Sequence, residues 1–333
     1  MEYFTKFDDN TLICDVCPRH CRLKVGQSGF CKVRKNTGEK IELESYGHIT
    51  LPAIDPIEKK PLYHFFPSSK ILSFGTYGCN MGCRFCQNYN ITKTQNNPFL
   101  LPKATPKELV KIAKKYNCKS IAFTYNDPVV FFDYAIGVAN LARSEGIYTV
   151  AVSAGYICAK AREQLFSKMD AVNLDLKSFS RDFYRKNCLA DLDVVLDTIK
   201  YVHDNTNAWL EITTLLIEGQ NDSDNELEAM CKWLVENVGV NVPLHFSAFH
   251  GAYKFSNMPP TKYTTLKRAY DIARSMGINY VYTGNIINTE TSCTYCRKCG
   301  AKLIERERFQ VTNYNLDELS RCKKCSTKLD GCF

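Results

Sequence analysis

Cys79, Cys83 and Cys86 follow the spacing C-x3-C-x2-C in a short segment that begins at Gly78. Cysteine thiolates are the usual ligands of iron–sulfur clusters, and clusters that only transfer electrons are commonly held by four of them. Three thiolates so close in sequence can bind three irons of a [4Fe–4S] cube and leave the fourth iron without a protein ligand. The spacing therefore predicts a cluster with one iron kept open for a substrate or cofactor. A zinc site is the alternative, and the aromatic residue directly before the last cysteine argues against it.

A second group of cysteines lies near the start of the chain, with the spacing C-x2-C-x3-C-x9-C. It consists of Cys14, Cys17, Cys21 and Cys31. The first three are close enough in sequence to converge on one ion, and Gly26 and Gly29 allow the chain to turn back toward the fourth. His20 is an alternative ligand. We predict a metal site here, and the spacing leaves zinc and a second iron–sulfur cluster both open.

A third group forms two C-x2-C pairs near the end of the chain. It consists of Cys296, Cys299, Cys322 and Cys325. Two such pairs are typical of a structural zinc ribbon, and residues 302–306 suit a strand between them. A rubredoxin-like iron site that supplies electrons to the cube is the alternative. The remaining cysteines are expected to be free thiols outside these sites: Cys118, Cys158, Cys188, Cys231, Cys293 and Cys332.

The composition limits the class of protein. The chain has 333 residues, 17 cysteines and a formal net charge of +8. An odd number of cysteines in C-x2-C groups favours metal binding in a reducing compartment over disulfides, so we expect a cytoplasmic protein. Metal-bound thiolates carry negative charge and would lower the net charge to about +3, so nucleic-acid binding is not expected. We also expect no membrane span and no signal peptide, because the chain has no sufficiently long apolar run and begins with an acidic segment.

The middle of the chain alternates strand-like and helix-like segments. Strands are predicted over residues 70–75, 120–124, 147–152, 171–176, 209–216, 242–247 and 279–283. Thr105 followed by Pro106 and Glu108 predicts a capped helix start, and Pro128 begins another helix. Regular alternation predicts a parallel sheet covered by helices, as an open or nearly closed barrel. In such folds the chemistry gathers at the carboxyl ends of the strands. We divide the chain into a Cys-rich module (1–48), a core (49–290) and a ribbon-like module (291–333).

Longer motifs accompany the cysteine spacing at residues 55–65, 78–88, 124–128, 173–177, 214–217 and 280–285. Together they resemble the radical S-adenosylmethionine (radical SAM) superfamily, in the branch of the pyruvate formate-lyase activating enzyme. Within that branch the chain resembles the AmmeMemoRadiSam system radical SAM enzymes over nearly its whole length. The resemblance implies an α/β fold, a partial (open) TIM-like βα barrel with a small Cys-rich module before it and a zinc-ribbon-like module after it.

The resemblance also implies contacts with S-adenosylmethionine. Phe85 and Gln87 would border the adenine, and His250 would lie near it. Ser153 matches the position of a polar group that faces the ribose. A polar residue at a strand end is often satisfied locally, which is the alternative for Ser153 and His250.

The resemblance implies four further cofactor contacts at strand ends. Tyr125, Asn126 and Asp127 stand where relatives carry a Gly-Gly-Glu segment that receives the methionine amino group, and Asn126 and Asp127 are the contacts implied there. An Asn carbonyl or an Asp carboxylate can still accept a hydrogen bond from an ammonium. Asp175 and Lys177 match a motif that lies over the ribose and the carboxylate. The alternatives are that Asp127 caps the following helix and that Asp175 only pairs with Lys177.

These features predict an enzyme that reductively cleaves S-adenosylmethionine at a [4Fe–4S] cluster. The 5′-deoxyadenosyl radical would then take hydrogen from a small organic substrate, with no catalytic side chain beyond the cluster and cofactor. The alternatives are activation of a glycyl radical enzyme, radical modification of tRNA or another RNA, and, outside enzymes, a zinc-module protein that binds nucleic acid. The expected partners are the substrate, an electron donor such as flavodoxin or ferredoxin, and the other AmmeMemoRadiSam system proteins. Activity is expected under anaerobic conditions.

Overall fold

The N-terminal segment folds into two small antiparallel sheets. The computed structural model of the chain describes residues 3–93, 101–287 and 289–333. One sheet contains β1 (Phe4–Lys6), β2 (Thr11–Cys14) and β3 (Arg22–Lys24), and the other contains β4 (Arg34–Asn36) and β5 (Ile41–Leu43). The four cysteines of this segment lie at strand ends or in the connections between strands.

A sheet of eight strands forms the centre of the molecule. Its strands are β6 (Ala53–Pro56), β7 (Lys70–Phe74), β8 (Ser120–Phe123), β9 (Tyr148–Ser153), β10 (Ala171–Asp175), β11 (Trp209–Leu216), β12 (Leu244–Ala248) and β13 (Val281–Gly284). They lie side by side in chain order; β6 is antiparallel to β7, and every later neighbouring pair is parallel. Among the described strands β6 and β13 do not pair with each other, so the sheet is an open barrel. The predicted α/β class is confirmed.

Helices cover this sheet. They are α1 (Tyr89–Thr92), α2 (Pro106–Lys115), α3 (Phe132–Ser144), α4 (Ala159–Phe166), α5 (Arg181–Phe183), α6 (Leu192–Asn205), α7 (Asp224–Val238) and α8 (Tyr263–Ser275). The capping box at α2 forms as predicted, because Thr105 accepts from the Glu108 backbone N–H and Glu108 accepts from the Thr105 backbone N–H. Strand β8 is buried on both faces, as expected for a parallel sheet with helices over it. No helix within the described ranges is long and apolar enough to cross a membrane.

The starts of one strand and one helix differ from the predictions for structural reasons. The sixth parallel strand begins at Leu244 rather than at residue 242, because Pro243 has no N–H to donate to the ladder. The helix predicted from Pro128 starts as a 3-10 turn over Pro128–Phe131 and becomes α-helical from Phe132. Neither difference moves a residue away from the carboxyl edge of the sheet.

The C-terminal segment is a three-stranded sheet of β14 (Thr294–Tyr295), β15 (Lys302–Glu307) and β16 (Gln310–Tyr314). It is held to the core by Arg306, which is buried and donates to the Tyr63 carbonyl oxygen over 2.7 Å. The last residues also return to the core, since the Cys332 N–H donates to the His64 carbonyl. This segment therefore packs against Tyr63 and His64, which lie in the irregular stretch between β6 and β7.

Candidate active site

A cleft of about 520 Å³ opens among the loops at the carboxyl ends of the parallel strands. Parallel strands direct their carboxyl ends to the same edge, so residues distant in sequence meet there. The predicted residues that line this cleft are Cys79, Cys83, Phe85, Cys86, Gln87, Asn126, Asp127, Ser153, Asp175 and Lys177. The volume lies in the range of sites that hold a cofactor-sized molecule.

The loop after β7 carries the first cysteine group along one wall of the cleft. Gly78 has φ +74°, and a Cβ there would lie 2.1 Å from the Cys31 carbonyl oxygen, so only glycine fits. The Met81 N–H donates to the Cys79 Sγ over 3.4 Å, and the Cys86 Sγ lies 3.2 Å from the Thr92 hydroxyl.

The sulfur atoms of Cys79, Cys83 and Cys86 are not gathered as tightly as the ligands of a single ion. Among the described residues they do not form a group whose ligand atoms all lie within 4.8 Å of one another. A single tetrahedral ion needs such a group, whereas a cubane spaces its ligands more widely. Three separated sulfurs beside a cofactor-sized cleft therefore fit a cluster that leaves one iron open.

Asn126 holds the start of this loop. Its Oδ1 accepts from the Thr76 backbone N–H, and its Nδ2 lies within 3.1 Å of the Thr76 hydroxyl and the Tyr77 and Gly78 carbonyls. The amide hydrogens of Asn126 are thus used within the protein. The side chain acts as a clamp on the loop, and its implied contact with S-adenosylmethionine remains a prediction.

Asp127 and Ser153 form one hydrogen-bonded unit at the ends of β8 and β9. The Ser153 hydroxyl donates to Asp127 over 2.8 Å, and the backbone N–H groups of Val129 and Ala154 donate to the same carboxylate. Burial raises the pKa of Asp127, although these three donors oppose the shift. Asp127 therefore caps the turn at Pro128, as the structural alternative expected, and also faces the cleft.

Asp175 and Lys177 form an ion pair at the end of β10. The Lys177 Nζ lies 3.0 Å from the Asp175 Oδ2. Burial disfavours the ammonium, but the Asp175 carboxylate and the nearby thiol groups of Cys83 and Cys188 outweigh it and hold the pKa of Lys177 well above its ordinary value. The pair thus places a permanent cation between a carboxylate and the cysteine loop.

The three remaining predicted contacts lie at the other side of the loop. Phe85 is buried and packs against Phe183 and Phe255, with ring centroids 5.6 and 6.2 Å away. Gln87 and His250 contact each other over 3.1 Å. His250 does not line the main cleft but an adjoining cavity of about 360 Å³, which shares Tyr63 with it.

Cys188 contacts the cluster loop, which the sequence did not indicate. It was expected to be a free core thiol, and it is buried. Its thiol lies beside the Cys83 thiol and lowers the pKa of Cys83. The Cys188 carbonyl also accepts from the Gly82 N–H over 2.7 Å. A lone cysteine in a helix carries no spacing signal, so only the fold reveals this contact.

The floor of the cleft carries polar and ionisable groups that the sequence analysis did not assign. Glu58, Lys60 and His245 all line it. Lys60 lies 2.7 Å from the Asp55 carboxylate, and His245 lies 2.6 Å from the buried Glu211 carboxylate. Asp55 and Lys60 both belong to the 55–65 motif, which was the available signal, and the 3-10 turn at Ile57–Lys59 lies between them. His245 and Glu211 meet because β12 lies beside β11.

The two outer cysteine groups differ in shape. Cys296, Cys299, Cys322 and Cys325 have ligand atoms that all lie within 4.8 Å of one another. The Cys296–Cys325 and Cys299–Cys322 sulfur distances are 3.5 and 3.7 Å. Tetrahedral zinc with Zn–S bonds of about 2.3 Å needs sulfurs about 3.8 Å apart, so this group fits one ion. Among described residues, the N-terminal cysteines form no such tight group and surround a small cavity instead.

Comparison with known proteins agrees with this geometry. The family model of the radical SAM superfamily matches residues 74–234. An uncharacterized protein of Methanocaldococcus jannaschii is 40% identical over 329 residues, 98% of each chain. A second protein of that organism, whose name proposes it as a glycyl-radical enzyme activating enzyme, is 26% identical over 183 residues, 51% of this chain and 65% of that protein.

A solved structure shows the same fold. It is a radical SAM methyltransferase from Sphaerobacter thermophilus, with a TM-score of 0.53 and 15% identity over 86% of this chain and 79% of that chain. At this level of identity the similarity concerns the fold alone. With the family match over the cysteine loop and the strands around the cleft, the chain belongs to the radical SAM superfamily and is an S-adenosylmethionine-dependent enzyme.

Proposed function

We propose that the chain cleaves S-adenosylmethionine reductively and uses the product to remove hydrogen from a small organic substrate. The observation that carries this proposal is the set of three separated cysteine sulfurs on the wall of a 520 Å³ cleft. When bound there, a [4Fe–4S] cluster and S-adenosylmethionine would supply the electron and the 5′-deoxyadenosyl radical. Cys79, Cys83 and Cys86 would hold three irons of that cluster.

The other residues of the cleft would bind and orient the cofactor. The Asp127 carboxylate and the Ser153 hydroxyl face the cleft as acceptors for an ammonium or a ribose hydroxyl. The Lys177 ammonium suits a carboxylate, and Asp175 keeps it in place. Phe85 and Gln87 would border the adenine, and His250 would support Gln87 from the adjoining cavity. These contacts position the cofactor, and no side chain is required as an acid or base.

The shape of the cleft supports a small substrate. Phe309, from the C-terminal segment, lines both the cleft and the adjoining cavity and so adds apolar surface to each. The floor presents Glu58, Lys60 and His245, which can bind the polar groups of a small molecule. We also propose that the chain belongs to the AmmeMemoRadiSam group and acts with the other proteins of that system, which would agree with a small substrate. We further propose a flavodoxin or ferredoxin as donor, zinc at the C-terminal cysteines, and a reducing cytoplasmic setting.

Anaerobic reconstitution tests the proposal. The protein is loaded with iron and sulfide, mixed with dithionite and S-adenosylmethionine, and assayed for 5′-deoxyadenosine by mass spectrometry. We expect product from the wild type and from a Cys231→Ala control, whose thiol is buried in α7 far from the loop in sequence. The C79A/C83A/C86A variant should form none. Product from that variant, or none from an iron-loaded wild type, contradicts the proposal.

The alternative substrate is a glycyl radical enzyme. The similarity to the second M. jannaschii protein favours it over half of the chain. Incubation of the reconstituted protein with a glycyl radical enzyme, followed by electron paramagnetic resonance (EPR), separates the two. A glycyl radical signal would replace the small-molecule proposal, whereas 5′-deoxyadenosine without that signal supports it.

A further inference from the structure

The N-terminal cysteines lie close together although they come from different strands. Cys14 ends β2, Cys21 precedes β3, and the Cys14 N–H donates to the Cys21 carbonyl over 3.0 Å. Cys17 lies in the turn between these strands, and Cys31 lies shortly before β4. All four side chains line one cavity.

The rest of that cavity is mostly apolar. Val16, Val129 and Val130 form much of its wall. His20, the alternative ligand, contacts Asp15 through Nδ1 at 3.1 Å and Cys158 through Nε2 at 3.8 Å, and it does not line the cavity. The donor set facing the cavity is therefore four cysteines.

The spacing of these sulfurs argues against a single ion. Within the described residues, no three of them lie within 4.8 Å of one another, whereas the C-terminal cysteines of the same chain do. Zinc with Zn–S bonds of about 2.3 Å requires sulfurs about 3.8 Å apart. A cube of four irons and four sulfides spaces its ligands more widely and fills the space between them.

Arg34 supplies charge to the same cavity. Its side chain is buried, lines the cavity and forms an ion pair with the Asp133 carboxylate, while its Nε is left without a hydrogen-bond partner. A buried N–H without an acceptor is costly, and an anion in the cavity would supply one. A [4Fe–4S] cluster on four thiolates carries a net negative charge, which this guanidinium would stabilise.

The cavity lies directly behind the cluster loop. Asn80 lines it, and the Asn80 Oδ1 lies 4.0 Å from the Cys79 Sγ on the other side. The Cys31 carbonyl lies against Gly78, the residue before Cys79. One residue layer therefore separates the two cysteine groups.

We propose that Cys14, Cys17, Cys21 and Cys31 hold a second [4Fe–4S] cluster that passes electrons to the cluster at Cys79, Cys83 and Cys86. A flavodoxin- or ferredoxin-type donor loses one electron to the second cluster, which passes it on and returns to its oxidised state. One such electron breaks one carbon–sulfur bond of S-adenosylmethionine. The role in electron transfer rests on the proposed function, whereas the presence of the cluster does not.

The metal content of the C79A/C83A/C86A variant tests the second cluster. After anaerobic reconstitution we expect about four irons and four sulfides per chain to remain, with about one zinc, and an EPR signal after reduction. A variant that retains no iron, or two zincs in its place, overturns the proposal. This result does not depend on cleavage of S-adenosylmethionine, so the second cluster and the proposed function can fail separately.

A single substitution identifies the ligands in the same background. Cys21 is only partly buried, so Cys21→Ser tests ligation with little disturbance of packing. Cys332→Ser is the matched control, because Cys332 is also partly buried and does not line the cavity. We expect Cys21→Ser to alter the EPR signal or reduce the iron content at least twofold, and the control to change neither. An unchanged signal in Cys21→Ser overturns its assignment as a ligand.

The relay is tested with two reductants. In a Cys21→Ser variant with the cluster loop intact, 5′-deoxyadenosine formation is compared between reduced flavodoxin and dithionite. We expect the flavodoxin-to-dithionite rate ratio to fall at least tenfold relative to wild type. A ratio that stays at the wild-type value refutes the relay.

Discussion

Asn126 offers a sharp test of how the cluster loop is held. Replacing it with alanine removes the acceptor for the Thr76 N–H and the donors to the Tyr77 and Gly78 carbonyls. Because Asn126 and Thr76 are buried, water cannot readily replace these bonds. The Asn126 amide donates two hydrogens and accepts one, so the substitution removes about three hydrogen bonds, and each contributes about 1 kcal/mol net to stability.

The expected loss is therefore about 3 kcal/mol. For a chain of this size that lowers the melting temperature by roughly 6 °C, at about 2 °C per kcal/mol. If this free energy is lost mainly from the closed state of the loop, the population of the open loop rises by up to about 100-fold, because each 1.4 kcal/mol changes an equilibrium constant tenfold. Iron should then leave the reconstituted protein faster by up to that factor.

The assay is the rate at which an iron chelator removes iron from the reconstituted protein, measured with the melting temperature. Asn173→Ala is the matched control, because Asn173 is equally buried but donates to the Pro61 carbonyl, away from the loop. It should lower the melting temperature without faster iron loss. Asn126→Asp should resemble Asn126→Ala, since a carboxylate would face the Tyr77 and Gly78 carbonyl oxygens. Equal iron-loss rates for Asn126→Ala and Asn173→Ala would refute the clamp.

Three further predictions concern charged groups. Arg306→Met should lower the free energy of unfolding by about 3–5 kcal/mol in urea, because it leaves the buried Glu58 carboxylate unpaired. The control Lys302→Met, on the exposed face of β15, should lower it by less than about 1 kcal/mol, and equal losses would contradict the anchoring role of Arg306. Lys177→Met should weaken S-adenosylmethionine binding by about tenfold or more in equilibrium dialysis, because a charge-assisted hydrogen bond to the cofactor is lost. The surface variant Lys186→Met should bind with wild-type affinity, and wild-type affinity in Lys177→Met would show that Lys177 does not bind the cofactor. Burial lowers the pKa of His64 to about 4. The stability gained from neutral His64 is therefore present above pH 6.5 and is lost as the pH falls toward 4. Between pH 6.5 and 5 the free energy of unfolding of the wild type should fall by about 2 kcal/mol more than that of His64→Asn. Unfolding free energies with the same pH dependence in both proteins would contradict this role of His64.

The pattern of strands was predictable because it depends on local signals. Buried β-rich runs gave the parallel strands within about two residues, and the capping box at Thr105 formed as the sequence indicated. The pairing of Lys60 with Asp55 was not predictable, because it depends on how the 3-10 turn at Ile57–Lys59 directs the chain. The contact of His245 with Glu211 was not predictable either, because it depends on which strands are neighbours in the sheet. The charged floor of the cleft therefore appeared only in the structure.

The sequence by itself determined the candidate metal ligands and the strand-end residues around them. Cysteine spacing is a local property, because a few residues of chain limit which thiolates can reach one metal centre. Only the tertiary structure decided that Asn126 clamps the loop, that Cys188 contacts Cys83, and that the N-terminal cysteines surround a cavity behind Asn80. These contacts join segments that are distant in sequence. The packing of those segments sets which hydrogen bonds form and how far apart the sulfurs lie, and spacing along the chain does not.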